Sequence, residues 1–162
     1  MINVKQLPPD RWKDYRSLRL EALRSDPLAF GSSYEEEEGL AEDEWKRRIN
    51  NALFALSKDK PVGMIVYVVN HKIKTQHFAN IFGTYVKKEY RGKGIGKKLI
   101  ESAIDNIQEN VNVSKIELTV NPEQKAAVRL YEKCGFELVG RLKKKLKIND
   151  KFYDELIMER HI

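Results

Sequence analysis

The chain has 162 residues, which fits one domain and is long enough to bury a core without disulfide bonds. Lys and Arg total 30 against 24 Asp and Glu, so the net charge is +6, and the 41% of hydrophobic residues excludes a disordered chain. The single cysteine excludes a disulfide framework and a cysteine-rich zinc site, and no apolar run is long enough to span a membrane. The N-terminal residues lack the apolar stretch of a signal peptide, so we expect a soluble, cytoplasmic protein.

The charge is distributed unevenly along the chain. The basic runs 91–98 and 143–147 lie in the second half, whereas the acidic run 35–38 lies in the first. This asymmetry predicts an anionic partner for the C-terminal half. Aromatic residues are not interleaved with the basic runs, as base stacking would require, so we expect no nucleic-acid partner. The run Lys143–Lys145 is expected to be solvated surface.

Hydrophobic periodicity predicts the order of the elements. In the first half it indicates a strand over residues 2–7, a helix over about 10–24 with Asp10 as candidate N-cap, irregular chain over 28–39, a helix over 42–50, and strands near 52–57 and 62–70. In the second half it indicates a strand over about 76–86, a helix over about 95–111, a strand over 115–120, a helix over about 127–134, and a hairpin over about 136–147 and 151–160. This mixture predicts an α/β (α+β) fold, in which one central sheet carries helices on its faces.

The turn between the 76–86 strand and the next helix is the most informative segment. It is rich in glycine and basic residues, and the helix opens near Gly94. Glycines let backbone N–H groups approach a phosphate closely, and the N-terminus of a helix favours an anion. The sequence therefore predicts a phosphate or pyrophosphate site, with an ordinary glycine-rich turn as the alternative. Neither the P-loop nor the dinucleotide-binding pattern fits, since Lys98 stands where a P-loop needs Ser or Thr.

Two motifs resemble the GNAT superfamily of N-acetyltransferases. Arg91-Gly92-Lys93-Gly94-Ile95-Gly96 matches the (Gln/Arg)-x-x-Gly-x-(Gly/Ala) signature of that superfamily. Leu130-Tyr131-Glu132-Lys133-Cys134-Gly135-Phe136 is similar to its second hallmark, Leu-Tyr-x-x-x-Gly-Phe. The resemblance implies that residues 1–162 form a single N-acetyltransferase domain. It also implies a mixed, mostly antiparallel twisted sheet of about seven strands that is splayed in the middle, with helices on both faces.

The resemblance further implies that acetyl-CoA is the co-substrate. The sequence shows no metal-ligand spacing, so we expect no metal. The glycine turn would hold the pyrophosphate of coenzyme A, and the edge of the preceding strand would pair with the pantetheine arm, which extends the sheet. A backbone N–H near Val86 would polarise the thioester carbonyl. The residues implied in binding are Thr84, Tyr85, Val86, Arg91, Gly92, Lys93, Gly94, Ile95, Gly96, Lys97, Asn121, Gln124 and Tyr131.

Tyr131 is the implied general acid, which would protonate the departing thiolate. The alternative is a tyrosine that is simply buried in the core. Many members of the superfamily have Asn at the position of Gln124, where its side chain holds the pantetheine. Asn121 lies one turn earlier and is the candidate to compensate.

The resemblance also implies a carboxylate, or a water held by one, as the general base. Glu35 in the acidic run and Glu117 on the 115–120 strand are the candidates, and a solvated surface is the alternative for the run. His77 is a further candidate, with a surface position as its alternative. Cys134 is expected to be a small buried hydrophobe.

The acidic run predicts a cationic acceptor. A small-molecule amine substrate is preferred, namely a polyamine, an amino acid or an aminoglycoside-like amine. The alternatives are transfer to a protein or peptide N-terminus or lysine, and a non-catalytic coenzyme A-binding module that needs no acid at Tyr131. Dimers are common in the superfamily, so the resemblance also implies a homodimer.

Overall fold

The computed structural model describes all 162 residues. The strands are β1 (Ile2–Lys5), β2 (Ala52–Ser57), β3 (Lys60–Val69), β4 (Phe78–Val86), β5 (Lys115–Val120), β6 (Glu137–Ile148) and β7 (Lys151–His161). The helices are α1 (Trp12–Ser25), α2 (Tyr34–Glu38), α3 (Glu42–Arg48), α4 (Ile95–Gln108) and α5 (Lys125–Lys133). None of the helices is long and apolar enough to cross a membrane.

All seven strands belong to one sheet, in the order β1-β2-β3-β4-β5-β7-β6. Every neighbouring pair is antiparallel except β4 and β5, which run parallel and pair over only three residues of each strand, Phe78–Asn80 with Lys115–Glu117. The mixed, mostly antiparallel sheet predicted from the resemblance is thus confirmed. Its interruption between β4 and β5 positions the site described below.

A hydrophobic core lies on each face of the sheet. Alternate residues of β2 point to opposite faces, so Leu53 belongs to one core and Phe54 to the other. The first core is covered by α4 and α5, and the buried stripe of α4 includes Leu99, Ala103 and Ile107. The second core is covered by α1 and α3. The helices on both faces agree with the sequence prediction.

Three local predictions differ from the structure. Residues 34–38 form α2 rather than irregular chain, because the Ser33 side chain accepts from the Glu36 N–H at 3.2 Å and the Glu36 carboxylate accepts from the Ser33 N–H at 2.9 Å. Helix α4 ends at Gln108, and Val111 lies beyond it, exposed to solvent. Asp10 does not cap α1, which follows a short 3₁₀ turn over Pro9–Arg11.

Candidate active site

The open edge of β4 is the central feature of the site. Pairing with β5 ends at Asn80, so the edge of β4 facing β5 has no strand partner from Ile81 onward. Gly83 bends the strand at φ +50°, and a Cβ built there would lie 2.7 Å from Nη1 of Arg19. Glycine is therefore required for both the backbone conformation and the close approach of the arginine. The result is a gap in the sheet, as the resemblance predicts, bordered by unpaired backbone.

Tyr131 of α5 lies across this gap from β4. Its hydroxyl donates a hydrogen bond to Oγ1 of Thr84 at 3.0 Å, and its ring packs edge-on against Phe136. The residue is only 8% exposed, and this burial raises the pKa of Tyr131, with the Thr84 bond partly opposing the rise. Tyr131 therefore holds its proton at neutral pH and directs it at the open edge.

Asn121 follows β5 and is 1% exposed. Its Oδ1 accepts from the backbone N–H of Glu123 at 2.8 Å, whereas its Nδ2 has no hydrogen-bond partner. Asn121 and Tyr131 line the same cavity of about 80 Å³, which we call the tyrosine cavity. A buried donor without a partner is costly, so this amide is suited to an acceptor on a ligand.

Gln124 also lines the tyrosine cavity, but its side chain already has a partner. Its Nε2 donates to the Asp26 carboxylate at 2.8 Å, which joins the segment before α5 to the end of α1. The amide that is free to bind a ligand therefore belongs to Asn121 rather than to Gln124.

The glycine-rich turn follows β4 directly. Gly92 and Gly94 have φ of +76° and +78°, and Gly94 is the N-cap of α4. The N–H of Lys98 donates to the Gly94 carbonyl at 3.1 Å and closes the first helical turn. The N–H groups of Ile95, Gly96 and Lys97 thus have no partner within the helix and no capping side chain. They form a helix terminus suited to an anion beside the open edge.

The charged and aromatic side chains around the turn contact different parts of the protein. Nε of Arg91 donates to the Val86 carbonyl at 2.8 Å, which ties the turn to the end of β4. Lys98 is drawn away to the β1 carbonyl of Ile2, while Lys93 and Lys97 remain exposed beside the turn. Tyr85 faces α1, where its hydroxyl donates to Glu21 at 2.9 Å, so only its backbone borders the gap.

A second, larger cavity of about 480 Å³ meets the tyrosine cavity at the gap. We call it the arginine cleft, because Arg19, Arg47 and Arg48 line it. The residues that line both cavities are Ala29, Ile81, Phe82, Gly83, Thr119 and Glu155. Glu155 is the one ionisable side chain among these six, and it forms no ion pair. A buried phenol, that of Tyr131, and an unpaired carboxylate therefore line the same cavity at the open edge.

Known proteins match this chain in sequence and in fold. The sequence profile of the Acetyltransferase (GNAT) family matches residues 12–136. The chain belongs to the GNAT acetyltransferase family. It resembles the L-amino acid N-acetyltransferase AaaT of Escherichia coli at 30% identity over 99 residues, 61% of this chain and 60% of the relative. It resembles the spermidine N(1)-acetyltransferase of Vibrio cholerae at 34% identity over 97 residues, 60% of this chain and 56% of the relative. The matches thus span less than two thirds of these curated relatives.

Solved GNAT structures share the whole fold. A GNAT-family acetyltransferase from Streptococcus pneumoniae superposes with a TM-score of 0.88 at 24% identity and covers 100% of both chains. A putative acetyltransferase from Salmonella typhimurium, solved with its cofactor acetyl-CoA, has a TM-score of 0.81 at 12% identity and covers 99% of this chain and 94% of its own. At these identities the likeness establishes the fold alone.

Within this GNAT fold, the carboxylates proposed from the sequence lie away from Tyr131. Glu35 is exposed and lines a separate outer cavity of about 750 Å³ between α2 and the β6–β7 turn. Glu117 lies where β5 is still paired with β4, and its carboxylate is 3.8 Å from Nζ of Lys115. His77 is exposed and precedes β4, at the end of the strand opposite to Thr84. None of the three lines the tyrosine cavity.

Glu155 was missed by the sequence analysis. It immediately precedes Leu156, which pairs with Val120 at the end of β5, and so lies beside the gap beyond β5. The closing segment 153–159 resembles the last strand of the family, but periodicity does not reveal the register of β7 against β5. Only the pairing of the strands identifies Glu155 as the carboxylate beside the open edge.

Two other side chains of interest have structural roles. Cys134 is buried, and burial raises the pKa of its thiol, so it is a packing residue as predicted. Glu37, the one buried member of the acidic run, binds Arg19 through two hydrogen bonds of 2.9 and 3.0 Å and lies 3.3 Å from Arg48. No group of three or more His, Cys, Asp or Glu side chains is placed to hold a metal ion.

Proposed function

We propose that this GNAT protein transfers the acetyl group of acetyl-CoA to a primary amine of a small molecule by direct attack. The observation that carries the proposal is the meeting of a buried phenol, an unpartnered amide and an unpaired carboxylate at the open edge of β4. The two relatives named for amino-acid and spermidine acetylation support an amine as acceptor.

The residues at the gap fit coenzyme A. The free N–H groups at the start of α4 are suited to the pyrophosphate, and the unpaired edge over Thr84–Val86 is suited to the amides of the pantetheine arm. The Nδ2 of Asn121 offers a donor to the same arm, in place of the engaged Gln124. When bound, acetyl-CoA supplies an activated acyl group whose carbonyl carbon the amine attacks.

Tyr131 acts as the general acid in this proposal. A C–N bond forms as the C–S bond breaks, and the phenol proton passes to the sulfur that leaves. The raised pKa of Tyr131 keeps the proton in place until it is needed, and Thr84 holds the hydroxyl in position. The buried setting excludes bulk water, which would otherwise hydrolyse the thioester.

Glu155 acts as the general base. An amine is protonated at neutral pH and must lose a proton to attack. Glu155 lines both cavities and has no cationic partner, so it is free to accept that proton directly or through a water. Glu35 and Glu117 do not lie beside Tyr131, which favours Glu155 as the base. We further propose a cytoplasmic location, where acetyl-CoA is available, and the implied homodimer stays a prediction.

A thiol-release assay tests the proposal. The purified protein is given acetyl-CoA and a panel of polyamines, amino acids, aminoglycosides and short peptides, with the products identified by mass spectrometry. We expect N-acetylation of at least one small amine, with one thiol released per acetyl group transferred. Binding of acetyl-CoA without transfer to any amine would instead support a non-catalytic module, and transfer to peptides alone would support the N-terminal alternative.

A further inference from the structure

The charges that line the arginine cleft are mostly positive. Arg19, Arg47 and Arg48 line it, and Glu155 is its only carboxylate. The acidic run, from which the sequence predicted a cationic acceptor, does not line this cleft. Glu35, Glu36 and Glu38 line the outer cavity instead. The cleft that adjoins the acetyl position therefore favours an acceptor that carries a negative charge as well as an amine.

The arginines are fixed by carboxylates that lie behind them. Glu37 binds Nε and Nη2 of Arg19, and the same carboxylate lies 3.3 Å from Nη1 of Arg48. Glu44 binds Nε of Arg48 at 2.9 Å. Neither Glu37 nor Glu44 lines the cleft. Because Arg19 and Arg48 share Glu37, their guanidinium groups are neighbours and are held in position before any ligand binds.

One guanidinium nitrogen of Arg19 is available to bind a ligand. Its Nη1 makes no hydrogen bond within the protein, although the side chain is only 11% exposed and stacks on the ring of Phe30 at 4.8 Å. This nitrogen lies against Gly83, which lines both cavities. A largely buried N–H donor therefore lies beside Gly83, where the two cavities meet.

We propose that the acceptor bears a carboxylate next to its amine, as an amino acid does, and that Arg19 and Arg48 bind this carboxylate. The inference rests on the proposed function and specifies its substrate class. In an α-amino acid, the carboxylate and the amine are attached to one carbon. Because Glu155, Gly83 and Arg19 line the same cleft, an amine beside Glu155 leaves its carboxylate within that cleft, where the arginines can bind it. A polyamine would bring further positive charge into a cleft lined by three arginines and one carboxylate, which is unfavourable.

Matched acceptors test the inference in the wild-type protein. L-Phenylalanine is compared with L-phenylalaninamide and phenethylamine, and L-lysine with L-lysinamide, cadaverine and spermidine. We expect kcat/KM for the better amino acid to exceed that for its amide and its decarboxylated amine about 10- to 100-fold, since charged hydrogen bonds are lost in both analogues. Equal or higher kcat/KM for the carboxylate-free amines would overturn the inference.

Variants then locate the carboxylate contact. Arg19→Gln and Arg48→Gln are expected to reduce the preference of acid over amide at least tenfold, measured as the ratio of the two kcat/KM values within each variant. Arg129→Gln, at an exposed arginine of α5, is the matched control and should leave the preference unchanged. Because Arg19 is buried, Arg48→Gln provides a second test if the first variant does not fold.

The outcomes separate this inference from the proposed function. Acetylation of amines with no preference for a carboxylate, or a preference unaffected by both arginine variants, overturns this inference and leaves the proposed function standing. Failure to acetylate any amine, with acetyl-CoA still bound, overturns both.

Discussion

Replacing Tyr131 with Phe tests the general acid most directly. The substitution removes one hydroxyl and leaves the ring, which remains packed against Phe136. The lost hydrogen bond to Thr84, 3.0 Å long, is expected to cost about 1 kcal/mol of folding free energy. For a protein of this size, that corresponds to a fall in Tm of about 2–4 °C. The folded protein should therefore persist at assay temperature.

The effect on the rate should be far larger. A positioned general acid contributes about 10²- to 10⁴-fold, so kcat should fall at least 100-fold in Tyr131→Phe. Each factor of ten corresponds to about 1.4 kcal/mol of barrier, so the loss of about 3 kcal/mol exceeds the loss in stability. The KM for acetyl-CoA should change little, because the phenol proton is needed only as the thiolate departs.

Thr84→Val is the matched control for this experiment. It removes the same hydrogen bond from the other side, so its Tm should fall by a similar amount, while Tyr131 keeps its proton. We expect its kcat to fall less than tenfold. The assay is thiol release across pH 6–10, alongside thermal unfolding of both variants. Burial raises the pKa of Tyr131, so the phenol should stay protonated below the ordinary tyrosine pKa of about 10. The wild-type rate should therefore not fall through ionisation of Tyr131 in that range. A Tyr131→Phe protein that retained more than a tenth of the wild-type kcat at every pH would refute the assignment.

Three further substitutions test other parts of the site. Glu155→Gln should lower kcat/KM about 100-fold at pH 7. The loss should be smaller at high pH, where the amine is already deprotonated. A loss that does not depend on pH would contradict the role of Glu155 as base. Asn121→Ala removes the unpartnered Nδ2 donor and should weaken acetyl-CoA binding about tenfold, as measured by calorimetry. Unchanged affinity would show that the amide does not contact the cofactor. Glu37→Gln should lower the free energy of unfolding by about 3 kcal/mol at pH 7, because it breaks the buried pair with Arg19. Burial raises the pKa of Glu37, but Arg19 and Arg48 outweigh it and lower the pKa overall, so the wild-type protein should lose this stability as the pH falls below about 4.3. The variant should lack that acid-dependent loss in denaturant unfolding between pH 3 and 7.

Structural features that depend on residues close together in the sequence were mostly predictable. The glycine turn and the Leu-Tyr-x-x-x-Gly-Phe motif are local, and the structure confirms the strand–turn–helix geometry around Gly94. The capping box of Ser33 and Glu36 is also a local pattern. It was overlooked because Glu36 belongs to the acidic run, where irregular chain was predicted. The end of α4 was predicted too late because Val111 continues the apolar spacing of the helix, although no core lies beneath it.

Residues brought together by strand register were not predictable from the sequence. Glu155 is one of several charged residues in the last strand, and only the pairing of β7 with β5 sets it beside the gap. The ion pair made by the acidic run was likewise not predictable from the sequence. Glu37 of α2 turns inward to bind Arg19 of α1 and so holds an arginine of the cleft in position.

The open edge of β4 explains why these features belong to one site. A strand edge left unpaired inside a sheet forgoes backbone hydrogen bonds that folding would otherwise form. Here the edge stays open because β5 diverges after Asn80 and Gly83 bends β4. The neighbouring Asn121 amide is buried without an acceptor. One extended ligand that carries amide groups would supply hydrogen bonds both to the unpaired edge of β4 and to the Asn121 amide. A pantetheine arm has this chemistry. The binding of such a ligand should therefore raise the stability of the protein, by an amount that grows with ligand concentration.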